Sequence, residues 1–230
     1  MTGLKVFRAG HARSLRAGSE TDISIRLRSR FSAISTNVAP LPLSPKFFAR
    51  DVDVVARALL GIELRFRGVG GRIVETESYD PTDPASHSYG ARRTPRNSIM
   101  FGPAGHAYVY RIYGMYWCLN VTCGDGSAVL IRALEPTAGL ARMKTRRGTD
   151  ETSLLCAGPG RLCQALDITG ADNGRALTAP PFLLTRNGRR RPAIVTGVRI
   201  GLTKGAEALR RYGLKDSAFL SRRFGDARSG

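Results

Sequence analysis

From residue 51 the apolar positions Val52, Val55, Ala56, Leu59 and Leu60 recur with the 3.6-residue period of a helix that buries one face. Asp51 suits its N-cap and Gly61 its C-terminal cap. The period then shortens toward two, and short β-like segments are predicted over 63–67 and 71–79. A long loop over 80–105 is punctuated by Pro81, Pro84, Gly90, Pro95, Gly102 and Pro103. Segments 107–112 and 116–122 read as a hairpin turning at Tyr113-Gly114-Met115, and 128–134 as a further strand after Gly124-Asp125-Gly126. Weaker helical periods cover 136–147, 159–166 and 203–212. Strands and helices alternate without a regular βαβ repeat. The pattern predicts an α+β fold: one compact domain with a mixed, largely antiparallel curved sheet, flanking helices and a protruding β-hairpin.

Residues 1–44 break this pattern. Lys5, Arg8, Arg13, Arg16, Arg26, Arg28 and Arg30 stand there against Glu20 and Asp22 alone, among many serines, before a cluster of prolines at 40, 42 and 45. The stretch reads as a disordered basic tail ahead of a folded domain over 45–222, with a short C-terminal tail over 223–230. An Arg- and Ser-rich, acid-poor leader also matches an organelle transit peptide, and a misassigned start codon gives the same picture. No secretory signal and no apolar run of roughly 20 residues is present, so the expectation is no membrane and a cytoplasmic or nucleoid setting in a bacterial-type cell.

Charge narrows the partner. The 230 residues hold 36 Lys and Arg against 18 Asp and Glu, a net +18, and such an excess favours a polyanion whose counterions are released on binding. Cys118 and Cys123, and Cys156 and Cys163, lack C-x2-C spacing, so buried small hydrophobes rather than metal ligands are expected.

Three clusters carry candidate chemistry. In 72–79 (RIVETESY), alternation puts Glu75, Glu77 and Tyr79 on one face, where two carboxylates need either solvent or a partner. Taken alone, a solvated acidic edge is the better reading. Arg132 lies inside the apolar run 128–134, and a buried arginine must be paired; Glu77 is the available carboxylate. Taken alone, a structural salt bridge is the better reading of that pair, and an oriented general base acting on water the other. The third cluster packs four tyrosines and the sole tryptophan into residues 108–117, in a chain only 7% aromatic. Core packing explains Val109 and Ile112 well but an aromatic at the turn less well, and aromatics beside Arg111 suit base stacking and insertion into a base step.

The segments RIVETESY (72–79), HSYGARRTPRN (87–97), YVYRIYGMYWCLN (108–120), VLIRALEP (129–136) and GPGRLCQAL (158–166) closely resemble the alkyladenine, or 3-methyladenine, DNA glycosylase family. The match runs from about Pro45 to near Arg222. The resemblance implies a metal-free and cofactor-free enzyme with a DNA-inserting hairpin. Glu77 matches the general base that deprotonates the attacking water, and Arg132 the residue that positions this water. Tyr79, His87 and Tyr110 match a pocket for the flipped base, with the backbone near Ala85 and His87 at the base edge. Asn120 matches the residue that screens against the guanine 2-amino group. Tyr113 matches the wedge in the vacated stack, flanked by Met115 and Tyr116. Arg96 and Arg161 fall in basic motifs suited to phosphate contact.

The implied reaction is release of a damaged purine (3-methyladenine, 7-methylguanine, hypoxanthine, ethenoadenine) from double-stranded DNA by a monomer with one wedge and one pocket. No lysine lies in the matched catalytic motifs, which predicts hydrolysis by water without a Schiff base. No acid for protonating a neutral base is evident among them. A non-catalytic reader of DNA damage, or a basic RNA-binding module, would use the same aromatics, but neither needs the pair of Glu77 and Arg132.

Overall fold

Where the apolar period changes, the chain changes element. In the computed structural model, which describes residues 41–186 and 193–225, the chain opens with β1 (Leu41–Pro42) and the single turn α1 (Pro45–Phe48). Helix α2 (Val52–Leu59) follows, its first turn closed by the Asp51 carboxylate, which accepts the Val54 amide at 3.0 Å. Asp51→Ala is therefore expected to lower stability by about 1 kcal/mol, a loss that a thermal melt would register. Gly61, at φ +84°, takes the left-handed conformation just past the helix end.

Strands β2 (Glu63–Phe66) and β3 (Val69–Tyr79) form an antiparallel hairpin. The loop over 80–106 contains two short 3-10 turns, Tyr89–Ala91 and Ser98–Phe101. Then come β4 (Ala107–Ile112), β5 (Tyr116–Gly124) and β6 (Ser127–Ala138), and the helices α3 (Leu140–Arg147) and α4 (Pro159–Leu166). The chain ends with β7 (Phe182–Arg186), β8 (Ile194–Gly197) and β9 (Arg211–Leu214). The sheet runs β1-β7-β2-β3-β6-β5-β4, and β9 pairs with both β3 and β8.

Four expectations change. Every pairing between described strands is antiparallel, so the sheet is not mixed. No helix forms over 203–212. The segment runs through turns, with Gly205 at positive φ, and closes as β9 between β3 and β8, where strand pairing overrides a weak helical period. The helix expected from 136 begins at Leu140, because 136–138 still pair with β3. Leu41–Pro42 and the buried Leu43, expected to be tail, belong to the sheet and core. The remainder of the expected N-terminal tail and residues 226–230 lie outside the described residues. No helix among the described residues is long and apolar enough to cross a membrane.

β3 is central rather than an edge. Its residues 69–72 pair with β2 and 75–77 with β9 on one side, while β6 runs along the other. Thr76 and Ser78 face α2, where they donate to the Ala56 carbonyl and the Asp53 carboxylate. The alternate residues Glu75 and Glu77 point the other way and are fully buried. The register shifts twice here: Ala133 faces Glu75 and Ile131 faces Thr76, leaving Arg132 as the extra residue of β6 between them. All four cysteines are free and buried, as expected of small core residues.

Candidate active site

The Glu77 carboxylate accepts three hydrogen bonds. Oε2 receives Arg132 Nη1 at 3.2 Å and the Tyr79 hydroxyl at 2.8 Å, and Oε1 receives the Ile200 amide at 3.0 Å. A carboxylate offers about four acceptor positions, so one on Oε1 is left for a further donor. Burial works against the charge on Arg132, but Glu77 and Glu75 outweigh it and hold its proton more tightly than usual. The Tyr79 hydroxyl is pushed well above its ordinary pKa by burial and by the adjacent Glu77 charge, so it stays a donor.

Glu75 is occupied differently. It receives Arg211 Nε at 2.6 Å and both the amide and the hydroxyl of Ser221, at 2.6 and 2.9 Å, and lies 3.4 Å from Arg132 Nε. Each carboxylate thus accepts three hydrogen bonds, and their partners separate them: Glu77 is held by Tyr79 and Ile200, which line the two concavities described below, and Glu75 by Arg211 and Ser221.

Tyr79, Ala85, His87, Tyr110 and Asn120, drawn from β3, the following loop, β4 and β5, line one cavity of about 160 Å3. Tyr108, Ser86, Met100 and Leu202 are also in its wall. The His87 ring stands edge-on to Tyr110 with centroids 4.6 Å apart, and its Nδ1 shares a 2.8 Å hydrogen bond with the Tyr108 hydroxyl. Burial, with Arg96 nearby, lowers the His87 pKa, which favours a neutral ring at neutral pH. Asn120 is buried, with its Nδ2 held by the Tyr108 carbonyl at 3.1 Å. Arg96 lies at the rim of this cavity, its guanidinium 5.5 Å from the Tyr110 ring centre and 3.3 Å from the Arg111 carbonyl, rather than apart from it.

The β4–β5 hairpin projects its aromatic tip outward. Tyr113, Met115 and Tyr116 are 76%, 66% and 50% exposed, against the usual tendency of such side chains to be buried. Tyr113 sits at φ +52°, a conformation that costs a non-glycine residue roughly 1–2 kcal/mol. Behind the tip a second concavity of about 510 Å3 brings Tyr113, Tyr116 and Arg132 together with Arg161 at the start of α4 and the Ile200–Gly201 backbone. Ile112 borders both concavities.

The segment around Arg199 went unnoticed in the sequence. Arg199 has no exposed side-chain surface and is paired with Asp83 through both carboxylate oxygens. It also donates to the Ser78 and Gly205 carbonyls at 3.1 and 3.0 Å and lies under the Tyr79 ring, 4.7 Å from its centre. Its neighbours Ile200 and Leu202 reach Glu77 and the cavity. The reasoning that singled out Arg132, an arginine amid apolar residues, applies equally to Arg199 in Val198-Arg199-Ile200.

A buried acid beside a base-sized aromatic cavity, an exposed aromatic tip and a strongly basic chain are the attributes of an enzyme that works on nucleic acid one base at a time. Comparison with known proteins makes the class a DNA glycosylase, a hydrolase of DNA repair. The family model described as methylpurine-DNA glycosylase matches residues 46–218, and the chain belongs to that family. It is 57% identical over 178 residues to a protein of Agrobacterium fabrum assigned as a 3-methyladenine DNA glycosylase, covering 77% of this chain and 91% of that one. A protein of Rhodopseudomonas palustris with the same assignment is 60% identical over 181 residues, covering 77% and 87%. Membership makes the chain a monofunctional glycosylase that binds DNA and acts on alkylated bases.

Proposed function

We propose that this glycosylase flips a damaged purine out of duplex DNA into the cavity of Tyr79, His87 and Tyr110, and hydrolyses its N-glycosidic bond with water activated by Glu77. The observation that carries the reading is the tie between Glu77 and the cavity wall, its Oε2 accepting the Tyr79 hydroxyl while its Oε1, beside the Ile200 amide, has room for one more donor. Water donating to Oε1 is oriented for attack at C1′ of the sugar. As the bond to the base breaks, positive charge grows on the sugar, and the Glu77 carboxylate stabilises it while taking the water proton. Arg132 fixes the carboxylate from one side and faces the larger concavity, through which the water is supplied.

Flipping costs about a few kcal/mol, and stacking on tyrosine returns roughly 1–3 kcal/mol per base. The reach of the cavity suits alkylated and deaminated purines: 3-methyladenine, 7-methylguanine, hypoxanthine and ethenoadenine. The backbone of Ala85 and His87 meets the base edge, and Asn120 guards the position that a guanine 2-amino group would occupy. Tyr113, flanked by Met115 and Tyr116, fills the vacated stack, and Arg161 takes a phosphate beside it. Arg96 closes the cavity rim against the same strand. One wedge and one cavity suffice, so the protein acts as a monomer without a cofactor.

The test is a single-turnover assay on duplexes carrying one hypoxanthine or ethenoadenine, with alkali to reveal abasic sites. Strand cleavage that depends on alkali is expected; tight lesion binding without base release would make the protein a damage reader instead. Tyr113→Ala is expected to weaken lesion-duplex binding about ten- to a hundred-fold, the loss of one stacking partner. Its rate on labile methylated bases should persist at saturating enzyme. Unchanged lesion affinity in a gel-shift titration would remove Tyr113 from the wedge role.

A further inference from the structure

The carboxylate cluster reaches past the site into the C-terminal segment. Ser221 makes three contacts there: its amide donates to Glu75 Oε2 at 2.6 Å, its hydroxyl donates to Glu75 Oε1 at 2.9 Å, and its oxygen accepts Arg132 Nε at 3.3 Å. Arg132 is thus gripped at both ends, Nη1 on Glu77 and Nε on Ser221 and Glu75. The segment around Ser221 is docked. The Phe224 ring lies under the Arg211 guanidinium at 4.0 Å and over Gly213 and Gly197. A Cβ at Gly213 would stand 2.5 Å from Phe224 and one at Gly197 2.9 Å from it, so glycine at both positions opens the seat. Arg211 in turn binds Glu75 and the Arg222 carbonyl.

We propose that residues 219–224 form a strap whose Ser221 is a positioning residue for Arg132, setting the guanidinium so that Nη1 meets the Glu77 carboxylate. The physical reason lies in the geometry of arginine. A guanidinium is planar, so fixing Nε fixes the direction of Nη1. A buried arginine facing two carboxylates 3.2 and 3.4 Å away has a competing choice, which the Ser221 hydroxyl resolves by sharing Glu75. The inference rests on the reading of Glu77 and Arg132 as the water-activating pair.

Single-turnover excision and lesion affinity of the full chain test it, with wild type, Ser221→Ala, Ser221→Thr, Arg132→Gln, Arg132→Gln with Ser221→Ala, and Glu77→Gln. Ser221→Ala is expected to slow the chemical step about tenfold with lesion affinity within twofold of wild type. Ser221→Thr, which keeps the hydroxyl, should restore most of the rate. The double variant should be no slower than Arg132→Gln alone, as for residues acting through one contact. Should Ser221→Ala reduce the yield of folded protein, Phe224→Leu loosens the strap without removing a hydrogen bond of the cluster and carries the same expectation. A Ser221→Ala rate equal to wild type, or a loss that adds fully to that of Arg132→Gln, would overturn the strap while an inactive Glu77→Gln left the catalytic reading standing. A Glu77→Gln enzyme with wild-type rate would overturn that reading instead.

Discussion

Glu77→Gln is expected to lower the single-turnover rate of base release by about 10²–10⁴-fold, the contribution of a positioned general base. Lesion-duplex affinity should stay close to wild type. The amide is nearly isosteric, and its single oxygen can keep either the Tyr79 hydroxyl or the Ile200 amide as donor, but it cannot take a proton from water or balance charge on the sugar. The cavity is formed by Tyr79 and Tyr110, set by β3 and β4, and by His87 of the loop between them, and none depends on the Glu77 charge for its place. Arg132 keeps a carboxylate partner in Glu75, so the variant is not left with an orphaned buried cation. The separation of rate from affinity is the decisive feature. Equal loss of both would mean that Glu77 is a structural ion-pair residue, and an unchanged rate would move the base role elsewhere.

Asp83→Ala should have the largest effect on stability. It strips Arg199, whose side chain has no exposed surface, of its carboxylate, and removing one partner of a buried pair costs about 3–5 kcal/mol. For a domain of this size that corresponds to a fall of roughly 6–20 °C in Tm. Asp83 also accepts the Ala85 amide at 2.9 Å, so the loop that carries His87 loosens at the same time. Excision should become weaker because substrate capture fails, with KM rising more than kcat falls, since Arg199 supports the Tyr79 ring and holds the loop bearing Ile200. A melting temperature within 2 °C of wild type would show that Arg199 finds sufficient partners in the Ser78 and Gly205 carbonyls.

Much of this was legible in the chain because it is local. The Asp51 cap, the helix behind it, the β4–β5 hairpin and α4 each follow from residues close together in sequence. The positions matching the glycosylase motifs, Glu77, Tyr79, Ala85, His87, Tyr110, Asn120 and Arg132, could be named before their mutual distances were known. Their convergence could not, because Tyr79 and His87 stand 8 residues apart in sequence but Glu77 and Arg132 stand 55 apart, and only sheet pairing joins the latter.

Residues 72–79 show the division most clearly. Alternation put Glu75 and Glu77 on one face, yet a solvated edge was the natural reading of two acids there. Local sequence carries no information on what covers a strand. β9, β6, the Arg199 loop and Ser221 all come from distant parts of the chain, and together they make β3 central and its acidic face buried. The same cause explains the helix that did not form over 203–212, where pairing of β9 with β3 and β8 outweighs a weak period.

By itself, then, the sequence determined the helices and hairpins made by short-range capping and periodicity, a polyanionic partner through its charge, and a family through its motifs. Which of two neighbouring carboxylates is tied to the cavity wall was decided by tertiary structure alone. That choice depends on donors supplied from Ile200, Arg211 and Ser221, brought to β3 over separations of more than 100 residues. Hydrogen bonds act over about 3 Å in space and are indifferent to distance along the chain.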